Sequence, residues 1–477
     1  MYNHFPILSV LYSYLDLHRL EVSNFESTSF FLFLFISILV FYLFKMSKYV
    51  LLPICLLFYL SFSVKMTIFI AELAMFNYVM GICIYYIKRW SKILCAIVVI
   101  GDAGALLYYK YANFFISNIH TINFFSNIAL LSYVVIPLGI SFFTFELIHY
   151  IVDIYKGKKP VFHIVNFFVF VFFFPTLIAG PIKRFEQFVP QLKNHVINYP
   201  LIQDGILLII RGLFKKIVIA DTLSNFVQYG FGGTENSLVM LIGVYAFSFQ
   251  IFFDFSGYTD LGRGSAALLG IYIPENFIQP YLSRNIREFW RRWHITLMAW
   301  LRDYIYIPLG GSRKKRIRNT LVVFLLSGLW HGAAWHFVFW GLYNGILMIL
   351  QTVVKPYHRF FTTLGDSHKW ISIFLTFQLV TIGWIFFRSP DLSFAFDLIK
   401  NIFIFTNYHA LDHFTAVRLF LITSILLIYG LVPVVVRAIR MNSFTLATVK
   451  YVLYGFALCC VFAYAPPFTI PFIYFQF

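Results

Sequence analysis

Apolar residues occur in long runs along this chain, separated by short segments that hold most of the charged residues. A helix needs about 20 mostly apolar residues to cross the hydrocarbon core of a bilayer. The pattern therefore predicts an all-α chain with about 11 to 13 membrane elements. The candidate spans lie near residues 29–45, 49–64, 66–87, 92–109, 130–152, 161–180, 203–226, 237–256, 320–354, 370–387, 416–438 and 446–465.

Two segments do not fit a single perpendicular helix. The run 320–354 is too long for one span, so it must tilt strongly, break or form two elements. The segment 284–309 is apolar and basic together. That combination favours an interfacial or re-entrant helix over a spanning one.

The composition supports a membrane protein. Of the 477 residues, 60% are hydrophobic and 12% are charged, whereas soluble domains are about 25% charged. The formal net charge is +17, but basic residues between apolar spans mark cytoplasmic ends and contact anionic lipid. The charge therefore predicts membrane lipid as a partner and no nucleic acid, with the basic stretch 284–318 on the cytoplasmic side.

Neither the cysteines nor the N-terminus indicates further modules. All five cysteines lie in or beside apolar runs, and none has a metal-ligand spacing with histidine, so we expect no metal site. The first 25 or so residues lack the basic, apolar and small-residue order of a cleaved signal peptide. We expect residues 1–28 to be an N-terminal extension and residues 29–477 to form one membrane domain.

His331 lies deep inside the apolar run 320–354. An ionisable side chain in the bilayer interior is costly and marks a functional site by default. Imidazole exchanges protons near neutral pH, which suits general-base catalysis on a hydroxyl. The alternative is that His331 only forms a hydrogen bond with a neighbouring helix. His336, five residues further on, faces another side of the helix and is interpreted as structural.

A second candidate site is the segment 288–303, which contains Arg291, Arg292, Trp293 and His294. Guanidinium groups and aromatic rings suit the phosphates and adenine of a donor such as coenzyme A. The alternative is an interfacial anchor, and the residues alone favour it.

Carboxylates and helix-breaking residues also interrupt several apolar spans, among them Glu146, Asp254 and Asp260. Such residues usually line a cavity. A transporter would show the same pattern, so the residues alone do not separate an enzyme from a transporter.

At these residues the chain resembles the membrane-bound O-acyltransferase superfamily, most closely its bacterial alginate O-acetyltransferase-like branch. The matches follow one order from about residue 136 to the end, with weaker ones upstream. They include QIFFDFSGYTDLGRG from Gln250, RRWHI around His294, YIPLGG ending at Gly311, SGLWHGAAWHFVFWGLYNG from Ser327, and the terminal FIYFQF.

The resemblance implies a ring of membrane helices, with re-entrant or interfacial helices and a central tunnel. It implies that His331 is the central catalytic residue and that His294 is the second functional histidine. The donor would be acetyl-CoA or another acyl thioester, with no permanently bound cofactor. The acceptor would be a cell-surface polysaccharide, reached through a periplasmic acetyltransferase or esterase-like partner, and the location would be the bacterial inner membrane.

Two other functions stay open at this point. One is D-alanyl transfer to polymers of the teichoic-acid type, although the YIPLGG segment looks more like the acetylating branch. The other is a transporter or flippase that performs no covalent chemistry.

Overall fold

The computed structural model describes residues 25–119, 130–131, 136–177, 180–193, 197–234, 236–354, 365–404, 443–464 and 472–473. Within these ranges every regular element is a helix, and no strand occurs. This confirms the predicted all-α class.

The N-terminal helices begin where a serine side chain can cap them. Ser27, Ser47 and Ser63 each accept a hydrogen bond from a main-chain N–H in the first turn of the following helix, which satisfies a group that has no partner within the helix. The elements are α1 (Thr28–Leu43), α2 (Lys48–Phe62), α3 (Val64–Tyr86), a 3-10 turn (Lys88–Trp90), α4 (Ser91–Leu106), a π-helical segment (Leu107–Tyr111) and α5 (Ala112–Ile119).

The middle of the chain contains one long helix, α12. This helix is buried along most of its length and packs against α10 and α11. The elements are α6 (Ile140–Tyr155), α7 (Ile164–Phe172), α8 (Phe174–Leu177), α9 (Phe185–Phe188), a 3-10 turn (Val189–Leu192), α10 (Tyr199–Leu213), a π-helical segment (Phe214–Ala220), α11 (Asp221–Phe231) and α12 (Ser237–Leu268).

The C-terminal part contains both segments that did not fit a single span. The run 320–354 breaks into two helices, and the segment 284–309 forms short helices instead of a span. The elements are a 3-10 turn (Pro280–Leu282), α13 (Ile286–Arg292), α14 (Ile295–Leu301), a π-helical segment (Arg302–Tyr306), α15 (Arg316–His331), α16 (Trp335–Val354), α17 (Gly365–Arg388), α18 (Leu392–Ile404) and α19 (Ser443–Tyr464). The predicted span 416–438 lies outside the described residues.

Five helices in the described part are long and apolar enough to cross a membrane, and three shorter apolar helices accompany them. Their outward faces carry large apolar side chains, such as Ile100, which is 71% exposed, and Phe462, which is 75% exposed. Water would not favour such a surface, whereas lipid does. The chain is therefore a multi-pass membrane protein.

Two of the buried carboxylates that interrupt the apolar spans, Glu146 and Asp260, are paired with basic side chains. Glu146 accepts from Lys183 Nζ at 2.5 Å, and Asp260 binds Arg211 and Lys215 at 2.6–2.8 Å. We expected these acids to line a cavity. Their pairing instead avoids an uncompensated charge in a medium of low dielectric constant.

The predicted N-terminal extension, residues 1–28, lies mostly outside the described residues. Its last residues pack on the protein, because the Phe25 ring stacks on Phe30 and on Tyr258 of α12, with centroid distances of 4.4 and 6.0 Å.

Candidate active site

His331 is the last residue of α15, at the point where a helical hairpin turns. Gly332 is extended, with φ −165° and ψ 156°, and ends the helix, and α16 begins three residues later. The two helices touch through their backbones, since a Cβ added to Gly341 would lie 2.3 Å from the Phe324 carbonyl oxygen and 3.2 Å from the Gly328 Cα. Small residues at the contact allow such a close approach of two helices. The tight hairpin fixes where His331 sits.

Aromatic rings enclose the His331 side chain, which is only 5% exposed. Its ring centroid lies 4.9 Å from that of Trp330 and 5.0 Å from those of Trp340 and Phe387, all edge-on. These contacts restrict the orientation of the imidazole ring.

His294 connects α13 to α14 and is 1% exposed. Its backbone has φ 44°, a left-handed conformation that is unusual for a residue other than glycine. The main-chain N–H of the next residue, Ile295, donates to the Asn276 carbonyl oxygen at 3.0 Å and holds the turn. Strained backbone of this kind often positions a functional side chain.

Asn276 determines which nitrogen of His294 carries the proton. Its side-chain oxygen accepts from His294 Nδ1 at 3.2 Å, and from the N–H and hydroxyl of Thr296 at 3.1 and 2.9 Å. Because an amide oxygen only accepts, Nδ1 is the protonated nitrogen and Nε2 keeps its lone pair. His294 Nε2 is buried and has no hydrogen-bond partner among the described residues. It is therefore a free acceptor.

Trp330 brings the two predicted histidines together. Its ring centroid lies 5.9 Å from that of His294 and 4.9 Å from that of His331. Two imidazoles thus contact the same residue, although they are 37 positions apart in the sequence. This arrangement can move a proton and hold a polar substrate group in a mostly apolar environment.

Lys110 and Tyr111 also reach this site, and the sequence argument did not find them. Lys110 Nζ donates to the main-chain carbonyls of Trp330 and His331 at 2.6 and 3.0 Å. Tyr111 donates to the carbonyl of Leu329 at 2.5 Å. Both residues belong to the π-helical segment Leu107–Tyr111, and such segments are frequent at functional sites. The weaker upstream matches to the family include the segment YYKYANFF, residues 108–115, but they gave neither residue a role.

The predicted donor-binding residues lie in three different environments. Arg291 is exposed. Arg292 donates to Glu288 at 2.5 Å, so its charge is partly compensated. Trp293 is 1% exposed, and core rings such as Phe289 and Trp384 pack against it. Trp293 directly precedes His294, which is buried to the same extent.

His336, interpreted from the sequence as structural, is separate from this site. Its Nδ1 donates to the main-chain carbonyl of Phe386 in α17 at 3.1 Å.

Comparison with known proteins gives this geometry a context. The sequence model of the membrane-bound O-acyltransferase family matches residues 27–388. That range includes both histidines and the whole hairpin.

Individual relatives align over much of the chain. A probable alginate O-acetylase, AlgI, from Pseudomonas aeruginosa is 36% identical over 400 residues, which cover 80% of this chain and 75% of the relative. A peptidoglycan O-acetyltransferase from Helicobacter pylori is 35% identical over 384 residues, covering 72% of each chain. A teichoic acid D-alanyltransferase from Bacillus subtilis is 31% identical over 269 residues, covering 52% of this chain and 68% of the relative.

Proposed function

Because the chain belongs to the membrane-bound O-acyltransferase family and is therefore an O-acyltransferase, we propose that it moves an acetyl group from a cytoplasmic thioester across the membrane for O-acetylation of a cell-surface polysaccharide. One observation carries this proposal: the buried residues His294 and His331 both contact the ring of Trp330, at the C-terminal end of α15.

The relatives favour an acetyl group and a polysaccharide acceptor. Those named as alginate and peptidoglycan acetylating enzymes align over 80% and 72% of this chain. The teichoic acid D-alanyltransferase aligns over 52%. D-alanyl transfer is therefore the second candidate. Family membership argues against a transporter without covalent chemistry.

His331 acts as the general base in this proposal. Its imidazole takes the proton of the acceptor hydroxyl while the hydroxyl oxygen forms a bond to the acyl carbon. The carbon–sulfur bond then breaks, the electron pair leaves with sulfur, and the proton passes from the imidazolium to that sulfur. The products are an ester and a thiol. A positioned base of this kind typically contributes about 10²- to 10⁴-fold to the rate.

His294 holds the donor in this proposal. Because Nδ1 of the neutral ring donates to Asn276, only Nε2 is available to the donor. This nitrogen accepts a hydrogen bond from an N–H or O–H group of the donor. Arg291 and Arg292 contact donor phosphates at the cytoplasmic mouth of a central tunnel. Both are accessible enough for that role, and Trp293 is the third proposed donor contact.

The proposed setting is the bacterial inner membrane, with acetyl-CoA or another acyl thioester on the cytoplasmic side. Five helices of the described part are long and apolar enough to cross a membrane. A periplasmic acetyltransferase or esterase-like partner would then complete transfer to the polysaccharide.

Isotope labelling separates the two acyl groups. Cells with and without this protein are fed labelled acetate or labelled D-alanine, and ester-linked label in the envelope polysaccharides is measured. We expect loss of the protein to remove acetyl esters and to leave D-alanyl esters unchanged. Loss of D-alanyl esters alone would establish the second candidate and reject the first.

A further inference from the structure

The Trp330 ring contacts both histidines, yet its indole N–H has no hydrogen-bond partner among the described residues. The side chain is 5% exposed, so water does not satisfy this donor from outside. A buried, unsatisfied donor destabilises a protein, and such groups are rare in folded proteins. Because the Trp330 ring contacts both histidines, we interpret its unsatisfied N–H as a donor that forms its hydrogen bond with a bound substrate.

Other tryptophans nearby show the usual arrangement. Trp300 Nε1 donates to the Phe145 carbonyl at 2.9 Å, and Trp384 Nε1 donates to the Tyr281 hydroxyl at 3.1 Å. Trp290 also lacks a partner, but its described ring contacts are with Phe289, Phe324 and Trp340 and not with a histidine. Trp330 is thus set apart by its contact with both imidazoles.

Trp330 and His294 offer complementary groups. His294 Nε2 carries a lone pair, because Nδ1 is the protonated nitrogen. In its neutral form His294 therefore cannot donate to a substrate carbonyl. The Trp330 indole can only donate, so it supplies the function that His294 lacks.

The Trp330 ring is also held firmly before any substrate arrives. It stacks on Phe145 with a centroid distance of 5.7 Å and meets Phe142 edge-on at 5.6 Å. Lys110 Nζ lies 5.9 Å from its centroid and binds its main-chain carbonyl at 2.6 Å. A donor fixed in this way needs no reorganisation when charge develops beside it.

We propose that the indole N–H of Trp330 donates a hydrogen bond to the carbonyl oxygen of the acyl thioester and stabilises the negative charge that forms there during transfer. The inference rests on the proposed function. When the acceptor oxygen bonds to the acyl carbon, the carbonyl electron pair moves onto this oxygen. It returns as the carbon–sulfur bond breaks, while His331 carries the proton from the hydroxyl to the sulfur.

Two unreactive analogues of acetyl-CoA test the hydrogen bond directly on the purified full-length protein. Acetonyl-CoA has a ketone carbonyl in its acyl part, and S-ethyl-CoA has no carbonyl in that part. We expect the wild-type protein to bind the ketone more tightly, and Trp330→Phe to weaken ketone binding about threefold to tenfold while S-ethyl-CoA binding stays unchanged. With acetyl-CoA as donor, the same variant should lower kcat by about 10²- to 10³-fold with little change in KM.

Two further variants control for packing. Trp300→Phe removes an N–H that already has a protein partner, so it should leave the ketone preference unchanged. Trp330→His keeps a ring N–H and should retain part of that preference.

Three results overturn the inference: equal affinity of the wild-type protein for both analogues, equal weakening of both in Trp330→Phe, or an unchanged kcat in that variant. If the wild-type protein binds neither analogue and labelling shows no acetyl transfer, the proposed function itself fails, which is a distinguishable outcome.

Discussion

Lys110 places its ammonium group against the two last main-chain carbonyls of α15, those of Trp330 and His331. The final carbonyls of any helix lack partners within the helix, and a cation there complements the negative end of the helix dipole. Because His331 is the last residue of the helix, this contact holds the proposed base in position. Lys110 is therefore a positioning residue.

Replacing Lys110 should impair the chemical step more than donor binding. We expect Lys110→Met to lower kcat for acetyl transfer by about 10- to 100-fold, since displacing a reacting group by about 1 Å has effects of that size. KM for acetyl-CoA should change little. Steady-state kinetics of the purified protein measure both parameters.

Lys110→Arg is the matched control, because guanidinium can still donate to both carbonyls, and it should recover part of the lost rate. Tyr111→Phe removes only the neutral hydrogen bond to Leu329 and should have a smaller effect. Equal rates in Lys110→Met and the wild type would show that the contact does not position His331.

At the residue scale, the sequence pointed to His331 because an ionisable group lay deep inside a long apolar run. It gave no means of finding Asn276, whose role depends on a turn that brings it beside His294. The sequence also does not show which ring nitrogen of His294 carries the proton. These properties depend on contacts between segments that are distant in the sequence.

The α15–α16 hairpin is the element on which the site depends. Its helices approach so closely that a side chain at Gly341 would meet the Phe324 carbonyl. Overpacking of this kind typically costs about 1–3 kcal/mol.

Gly341→Ala should therefore lower the thermal unfolding temperature of the detergent-solubilised protein and reduce acetyl transfer with it. Gly104→Ala provides the comparison, because nothing lies within 4 Å of a Cβ added there. That variant should match or slightly exceed the wild type in stability, since alanine favours helix more than glycine does. Equal unfolding temperatures for the two variants would contradict the tight hairpin.

At the element scale, most predicted spans coincide with helices, because bilayer thickness sets the length of each apolar run. The sequence also required the run 320–354 to bend or break. It did not fix the break at Gly332, because glycine recurs at several positions in that run. The π-helical segment around Lys110 left no recognisable pattern either.

In the molecule as a whole, buried ion pairs tie the helices together. Glu146 and Lys183 are 37 residues apart, and Asp260 and Arg211 are 49 apart. The sequence predicted that these carboxylates line a cavity, and it did not predict their basic partners, because the choice of partner depends on which segments are neighbours in the fold. Family resemblance predicted a ring-like arrangement of the helices and a functional role for His294, neither of which follows from composition and periodicity.

The proposed activity requires that His331, rather than any buried histidine, performs the proton transfer. His336 offers a matched comparison in the same hairpin, because its described hydrogen bond is with the main chain of α17. The two side chains are close in sequence and both buried, so substitutions at each disturb similar packing.

The most direct test measures ester-linked acetyl on the surface polysaccharide of cells that produce His331→Ala or His336→Gln, at equal amounts of protein in the membrane. We expect His331→Ala to lower acetylation at least 10²-fold, and His336→Gln to remain near the wild type. Wild-type acetylation in cells with His331→Ala would contradict the central claim.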